Sequence, residues 1–124
     1  MQTVLLISLG AIAGANLRYF VAQHVARLIP SSFPFGTLII NISASFILGF
    51  FLIWTSERVL ADPRWRMLIA VGFCATYSTY SSYAFETFAL FEKGQFLLAT
   101  LNFLATNVVC FVAVAGGAAL ARGL

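Results

Sequence analysis

Eight consecutive residues each carry a hydroxyl: Thr76, Tyr77, Ser78, Thr79, Tyr80, Ser81, Ser82 and Tyr83. They lie inside a charge-free run, 67–85. In an apolar setting each of these hydroxyls needs a hydrogen-bond partner. Serine and threonine can return to the carbonyl four residues back, which bends a helix. So dense a run predicts a broken helix, and a break is tolerated only where it is buried in protein or lines a cavity. Tyr77, Tyr80 and Tyr83 recur every three residues, which puts their rings along one slowly drifting helical face. Such rings usually form an aromatic belt at a membrane surface, but this segment lies well inside its span.

Two further polar sets share a spacing. Thr37, Asn41 and Ser45 fall at i, i+4 and i+8, and so do Asn102, Thr106 and Cys110, with Asn107 beside them. The stripes offer amide and hydroxyl donors and no carboxylate. A lining of that kind replaces an anion's hydration without presenting negative charge. Ring edges add the positive end of the aromatic quadrupole. One stripe alone is explained by helix–helix hydrogen bonds of about 0.6 kcal/mol each. Three in so short a chain point to a path for a small anion. Two charges sit within or near apolar spans, where charge is expensive. Arg18, near Asn16, reads either as an electropositive vestibule or as an interfacial arginine on lipid headgroups. Glu86 reads as a counter-charge to Arg18, a helix-end group or part of a transport path.

The elements that must position these groups follow from composition. The 124 residues are 61% apolar and 9% charged, with a mean hydropathy of +0.97. A soluble domain is about a quarter charged, so a soluble globular domain and a disordered chain are excluded. A net charge of +3 is too dilute to track nucleic-acid phosphates. The charge-free runs are 1–17, 28–56, 67–85 and 94–121. A span needs about 20 apolar residues. The expected fold is an all-α membrane protein, one domain over 1–124, with four transmembrane helices at about 4–26, 35–55, 66–92 and 95–122 and a break in the third. Pro30, Pro34, Asp62-Pro63 and Gly94 mark the connections. Short connections make consecutive helices antiparallel neighbours. The first span reads as retained rather than as a cleavable leader, having no basic leading region and carrying Arg18 inside.

Gly10 and Gly14, the Ser43-Ala44-Ser45 segment and Gly116-Gly117 allow close helix contact, within a bundle or across a dimer. Arg58, Arg64, Arg66 and Arg122 fall on one side of the membrane. Arg27 and Lys93 fall on the other, with Arg18 close enough to snorkel there. That excess is weak, and it reads either as insertion both ways with pairing to an inverted copy or as a single orientation decided by Arg64 and Arg66 alone. Cys74 and Cys110 read as small buried hydrophobes. A lone His24 excludes a histidine cluster for metal. With no nucleophile–base pair and no cofactor motif, an enzyme is not expected.

Three segments together carry a family resemblance: GAIAGANLR over 10–18, FGTLIIN over 35–41 and GFCATYSTYSSYAFE over 72–86. They resemble the Fluc or CrcB family of small bacterial fluoride channels over essentially the whole chain. The resemblance implies an antiparallel, dual-topology homodimer in the bacterial cytoplasmic membrane. Its two pores let fluoride leave the cell passively, which protects against fluoride toxicity. It implies a fluoride pathway along Asn41, Tyr80, Ser81, Ser82 and Tyr83, with Asn41 reaching into the pore, to which the stripe of the fourth helix adds the hydroxyl of Thr106. Arg18, Thr37, Glu86 and Asn102 would be polar groups of the vestibule and pore. A structural Na+ at the dimer centre would rest on the backbone carbonyls of Ala75 and Ser78. The chain departs from the family in carrying tyrosine where Phe is usual at 80 and 83, and Ala75-Thr76 where paired glycines are usual. A register slip of three would move the aromatic pair to Tyr77 and Tyr80; the spacing from Gly72 to Glu86 argues against it. The rival of similar size is a dual-topology multidrug exporter. It would want an acid in the first span, and 4–25 contains none.

Overall fold

The computed structural model describes residues 1–59 and 61–124. Among them there is no strand. Helix α1 (Gln2–Leu28) turns through two prolines into α2 (Phe35–Ile53), which runs on as a π-helical turn (Trp54–Arg58). A helical run over 63–77 follows, made of α3 (Pro63–Trp65), a π-helical stretch (Arg66–Cys74) and α4 (Ala75–Tyr77). Then come α5 (Tyr80–Glu92) and α6 (Phe96–Gly123). Three helices are long and apolar enough to cross a membrane: Gln2–Leu28, Phe35–Arg58 and Phe96–Gly123. The third helix, expected over 66–92 with a break, is two helical pieces with a gap between them at Ser78-Thr79. The first piece starts at Pro63, ahead of the expected start.

Local chemistry explains the ends. Pro30 and Pro34 supply no N–H, and residues 29–34 form the first connection. Asp62 does more than interrupt a helix: its carboxylate accepts from the Arg64 N–H at 2.9 Å and caps the run that Pro63 opens. The Arg64 guanidinium on the same carboxylate, at 2.7 Å, holds the Asp62 pKa below its ordinary value. After α5, Gly94 takes φ +74, where glycine pays no Cβ penalty. The Gln95 N–H then reaches the Leu90 carbonyl (2.9 Å) and the Gly94 N–H the Phe91 carbonyl (3.0 Å), the paired bonds of a Schellman end.

The tightest seams join alternate helices that run in the same direction. Helix α1 packs on the 63–77 run through Gly10, Gly14 and Gly72. A Cβ on Gly14 would stand 2.5 Å from the Phe73 carbonyl oxygen, and one on Gly72 would stand 2.7 Å from that of Ile7. Helix α2 packs on α6 through Gly49 against the Val114 carbonyl and Gly117 against the Phe46 carbonyl. Small residues let backbones close to van der Waals and Cα–H···O distance, which drives association where no hydrophobic effect operates. Gly10–Gly14 is thus used inside the bundle. Consecutive helices do meet antiparallel, but more loosely.

The ion pair between Glu57 and Arg122, 3.0 Å at its closest, ties the ends of α2 and α6 together. Ile40, Ala44 and Tyr77 form the buried core, with Val21, Ala22 and Phe73 against it. Cys74 is buried, as expected of a small hydrophobe. The outer faces are apolar: Leu5, Leu9, Ile12 and Phe20 on α1 and Phe103, Val108 and Phe111 on α6 stand exposed.

Gly116 meets open space within the chain, whereas Gly117 does not. Gly117→Ala is expected to lower stability by roughly 1–3 kcal/mol through overpacking, while Gly116→Ala leaves it unchanged or raises it by up to about 1 kcal/mol. Thermal unfolding of the two variants in detergent checks the contrast.

Candidate functional site

The site is built on the gap in the third helical run. Tyr77 ends α4, Ser78 (φ −75, ψ 161) and Thr79 (φ −152, ψ 115) are extended, and Tyr80 opens α5. Thr79 is the N-cap: its hydroxyl accepts from the Ser82 N–H at 3.2 Å and donates to the Ser82 Oγ at 3.0 Å. The remaining backbone groups of Thr79 go to one side chain. The Asn41 Nδ2 donates to the Thr79 carbonyl (3.0 Å), and the Thr79 N–H donates to the Asn41 Oδ1 (2.8 Å). A primary amide offers one donor and one acceptor side by side, so Asn41 stands in for a neighbouring peptide. Both residues are buried.

A cavity of about 380 Å³ opens beside the gap, between α2, α5 and α6. Asn41, Ser45, Thr79, Tyr80, Tyr83 and Thr106 line it, and none of its described lining residues is charged. The rings of Tyr80 and Tyr83 meet edge to face, centroids 5.5 Å apart at 61°. Tyr83 is 5% exposed and Tyr80 78%, so one ring forms the wall and the other stands at the rim. Tyr77 does not join them. The extended pair Ser78-Thr79 interrupts the three-residue spacing and turns Tyr77 into the core, where it stacks on Phe73 and its hydroxyl lies 2.9 Å from the Ser43 Oγ.

The other expected residues divide among different places. Ser82 sits under the Thr79 cap, and Ser81 is exposed on α5. Asn102 is 2% exposed in the α5–α6 seam, donating to the Thr87 hydroxyl at 2.8 Å, and Thr87 in turn donates to the Tyr83 carbonyl at 2.8 Å. Thr106 donates to the Asn102 Oδ1 across a long 3.4 Å. Thr37 and Glu86 meet at a second cavity of about 440 Å³, under the 29–34 connection. There the Thr37 hydroxyl donates to the Glu86 Oε1 at 2.8 Å, and the Glu86 Oε2 is buried without a partner. Arg18 is half-buried on α1 and makes no ion pair among the described residues, so it is not the counter-charge of Glu86. Ala75 is exposed next to the gap.

Sequence reasoning gave Thr87 no role and Asn107 only a place beside a stripe. The 15-residue separation of Asn102 and Thr87 follows neither helical spacing and is legible only once α5 and α6 are paired.

A pinned break inside an apolar helical bundle, beside a cavity of neutral donors, defines a small membrane protein that handles a small solute within the bilayer. The chain matches the family model described as "CrcB-like protein, Camphor Resistance (CrcB)" over residues 5–118 and belongs to that family. It is 51% identical over 124 residues to the "Fluoride-specific ion channel FluC" of Koribacter versatilis, covering all of this chain and 98% of that one. It is 40% identical to the protein of the same name from Sulfurihydrogenibium, over the full length of both. The Coxiella burnetii protein of that name is 39% identical over 99% of this chain and all of its own. The chain is therefore a multi-pass bacterial membrane protein.

Asn41→Ala would strand the buried Thr79 N–H, at about 1–3 kcal/mol, and would take one of two donors from the Thr79 carbonyl, which as the N-cap carbonyl keeps the first bond of α5. Asn41→Asp would keep the acceptor but set a second acceptor, charged, against the Thr79 carbonyl. The expected order of thermal stability in detergent is wild type, then Asn41→Ala, then Asn41→Asp. An Asn41→Ala variant as stable as wild type would contradict the pairing.

Proposed function

We propose that this chain is a fluoride-selective channel through which fluoride leaves the cytoplasm passively, protecting the cell from its toxicity. The observation that carries the reading is the cavity beside the Asn41–Thr79 pair, whose walls offer hydroxyls, ring edges and no carboxylate. Fluoride-specific relatives of up to 51% identity support the choice of ion. Fluoride sheds water stepwise onto Tyr80, Tyr83 and Thr106 in the cavity and, outside its lining, onto the hydroxyls of Ser81 and Ser82 on α5. Asn41 acts on the path by holding the gap open. Thr37 and Glu86 form a polar step at the end near residues 29–34, Asn102 holds Thr106 behind the wall, and Arg18 raises the local anion concentration at the mouth. The exporter reading gains nothing from the relatives' names.

In this reading the broken run over 63–92 is the fourth crossing, and two copies assemble antiparallel with one pore on each side. Little of a lone chain is buried: only 11% of an apolar 18-residue stretch in each of α1 and α6. Tyr80 stands open at the cavity rim, where a second copy would cover it. Two of the four arginines at the α6 end are paired, Arg122 with Glu57 and Arg64 with Asp62. A weak Lys/Arg asymmetry suits insertion in both orientations. The Ala75 and Ser78 carbonyls fit a structural Na+. The N–H groups that helical pairing would return to them are those of Thr79 and Ser82, and both are diverted, to the Asn41 Oδ1 and the Thr79 Oγ1. Two bare carbonyls suit a hard cation, whose shell takes oxygen ligands, and a two-fold partner would double them. When bound there, Na+ would supply charge balance to the facing carbonyl dipoles.

The test is purified protein in liposomes loaded with potassium fluoride. On addition of a potassium ionophore, fluoride is expected to appear outside, while matched chloride-loaded liposomes retain their chloride. No fluoride release would overturn the reading.

A further inference from the structure

Tyr83 carries a hydroxyl at the cavity wall, and the structure shows how that hydroxyl is held. The Asn107 Nδ2 makes two contacts, 2.8 Å to the Phe103 carbonyl and 3.2 Å to the Tyr83 hydroxyl oxygen. A carbonyl can only accept, so the amide must present its nitrogen on this side and the Tyr83 oxygen meets a donor. A phenol has one hydrogen to give. No other hydrogen bond to the Tyr83 hydroxyl exists among the described residues, so its acceptor side is engaged and its proton is not. The residue is 5% exposed and forms the cavity wall together with Asn107 and Thr106.

We propose that the Tyr83 hydroxyl, held as an acceptor by Asn107, donates a hydrogen bond to the anion in the cavity and so sets how strongly this chain binds it. The proposal rests on the cavity being an anion path. An O–H donor binds an anion more closely and more strongly than a ring edge, because its hydrogen carries more positive charge than a ring C–H, and the charged acceptor strengthens the bond further. Asn107 is a positioning residue: by filling the oxygen's acceptor side it leaves the proton free to face the cavity.

The experiment measures fluoride efflux from liposomes across a series of internal fluoride concentrations, for wild type, Tyr83→Phe and Asn107→Leu. Tyr83→Phe is expected to raise the half-saturating concentration about tenfold, the loss of one hydrogen bond to a charged group, with the maximal rate kept or increased. Asn107→Leu keeps the phenol but no longer directs its proton, and a rise of a few fold is expected. A wild-type half-saturation in Tyr83→Phe overturns the proposal. If that variant does not assemble, an unchanged value in Asn107→Leu overturns it. Absence of any fluoride release by the wild type would overturn the channel reading and this proposal with it.

Discussion

The structure depends on one constraint: backbone N–H and carbonyl groups inside a membrane must be paired within the protein. A helix meets it alone, and a gap in a helix does not. Here the gap at Ser78-Thr79 is sustained by a single side chain from another helix. Asn41 supplies an acceptor at 2.8 Å and a donor at 3.0 Å to the same residue, Thr79. The Thr79 hydroxyl supplies a third substitute partner, for the Ser82 N–H. With those three bonds in place, two half-helices can share one run. Side chains of α5 then face the cavity in a register that an unbroken helix would not give them.

The glycine seams decide where the opening falls. α1 and the 63–77 run close on each other through Gly10, Gly14 and Gly72, and α2 and α6 close through Gly49 and Gly117. Helix α5 belongs to neither seam. It is held by the Asn41–Thr79 pair at its start and by the Thr87–Asn102 and Tyr83–Asn107 hydrogen bonds to α6. Polar contacts at measured points space α5 off α2 and α6, where glycine contacts would have brought backbones together. The cavity is the space they leave, and its walls are neutral because those contacts are made by amides and hydroxyls.

Much of this was legible in the residues. Charge-free runs located the apolar helices, and the hydroxyl run 76–83 announced a break. The i+4 stripes marked the faces of α2 and α6 that turn inward. What was not legible has a common physical origin. Tyr77 was grouped with Tyr80 and Tyr83 because helical periodicity was carried through a point where the backbone is extended. Thr87 escaped notice because a lone threonine beside Glu86 gains meaning only when Asn102 of another helix reaches it at 2.8 Å. The pairing of alternate helices through glycine was hidden as well, since small residues show that a face can close but not on which partner. Asn41 was expected to point its amide into the path; that the same amide also pairs with both backbone groups of Thr79 while lining the cavity was not legible, because it depends on a contact 38 residues away.

The central claim is that an anion passes the cavity beside the gap on uncharged dipoles, with no carboxylate in that cavity's wall and no coupled proton. Current through the protein in a planar bilayer, under a fluoride gradient combined with opposed chloride and pH gradients, tests it most directly. The account predicts a reversal potential that follows the fluoride gradient alone and does not move when the pH or chloride gradient is changed. A reversal potential that shifts with the proton gradient, or that follows chloride, would contradict it.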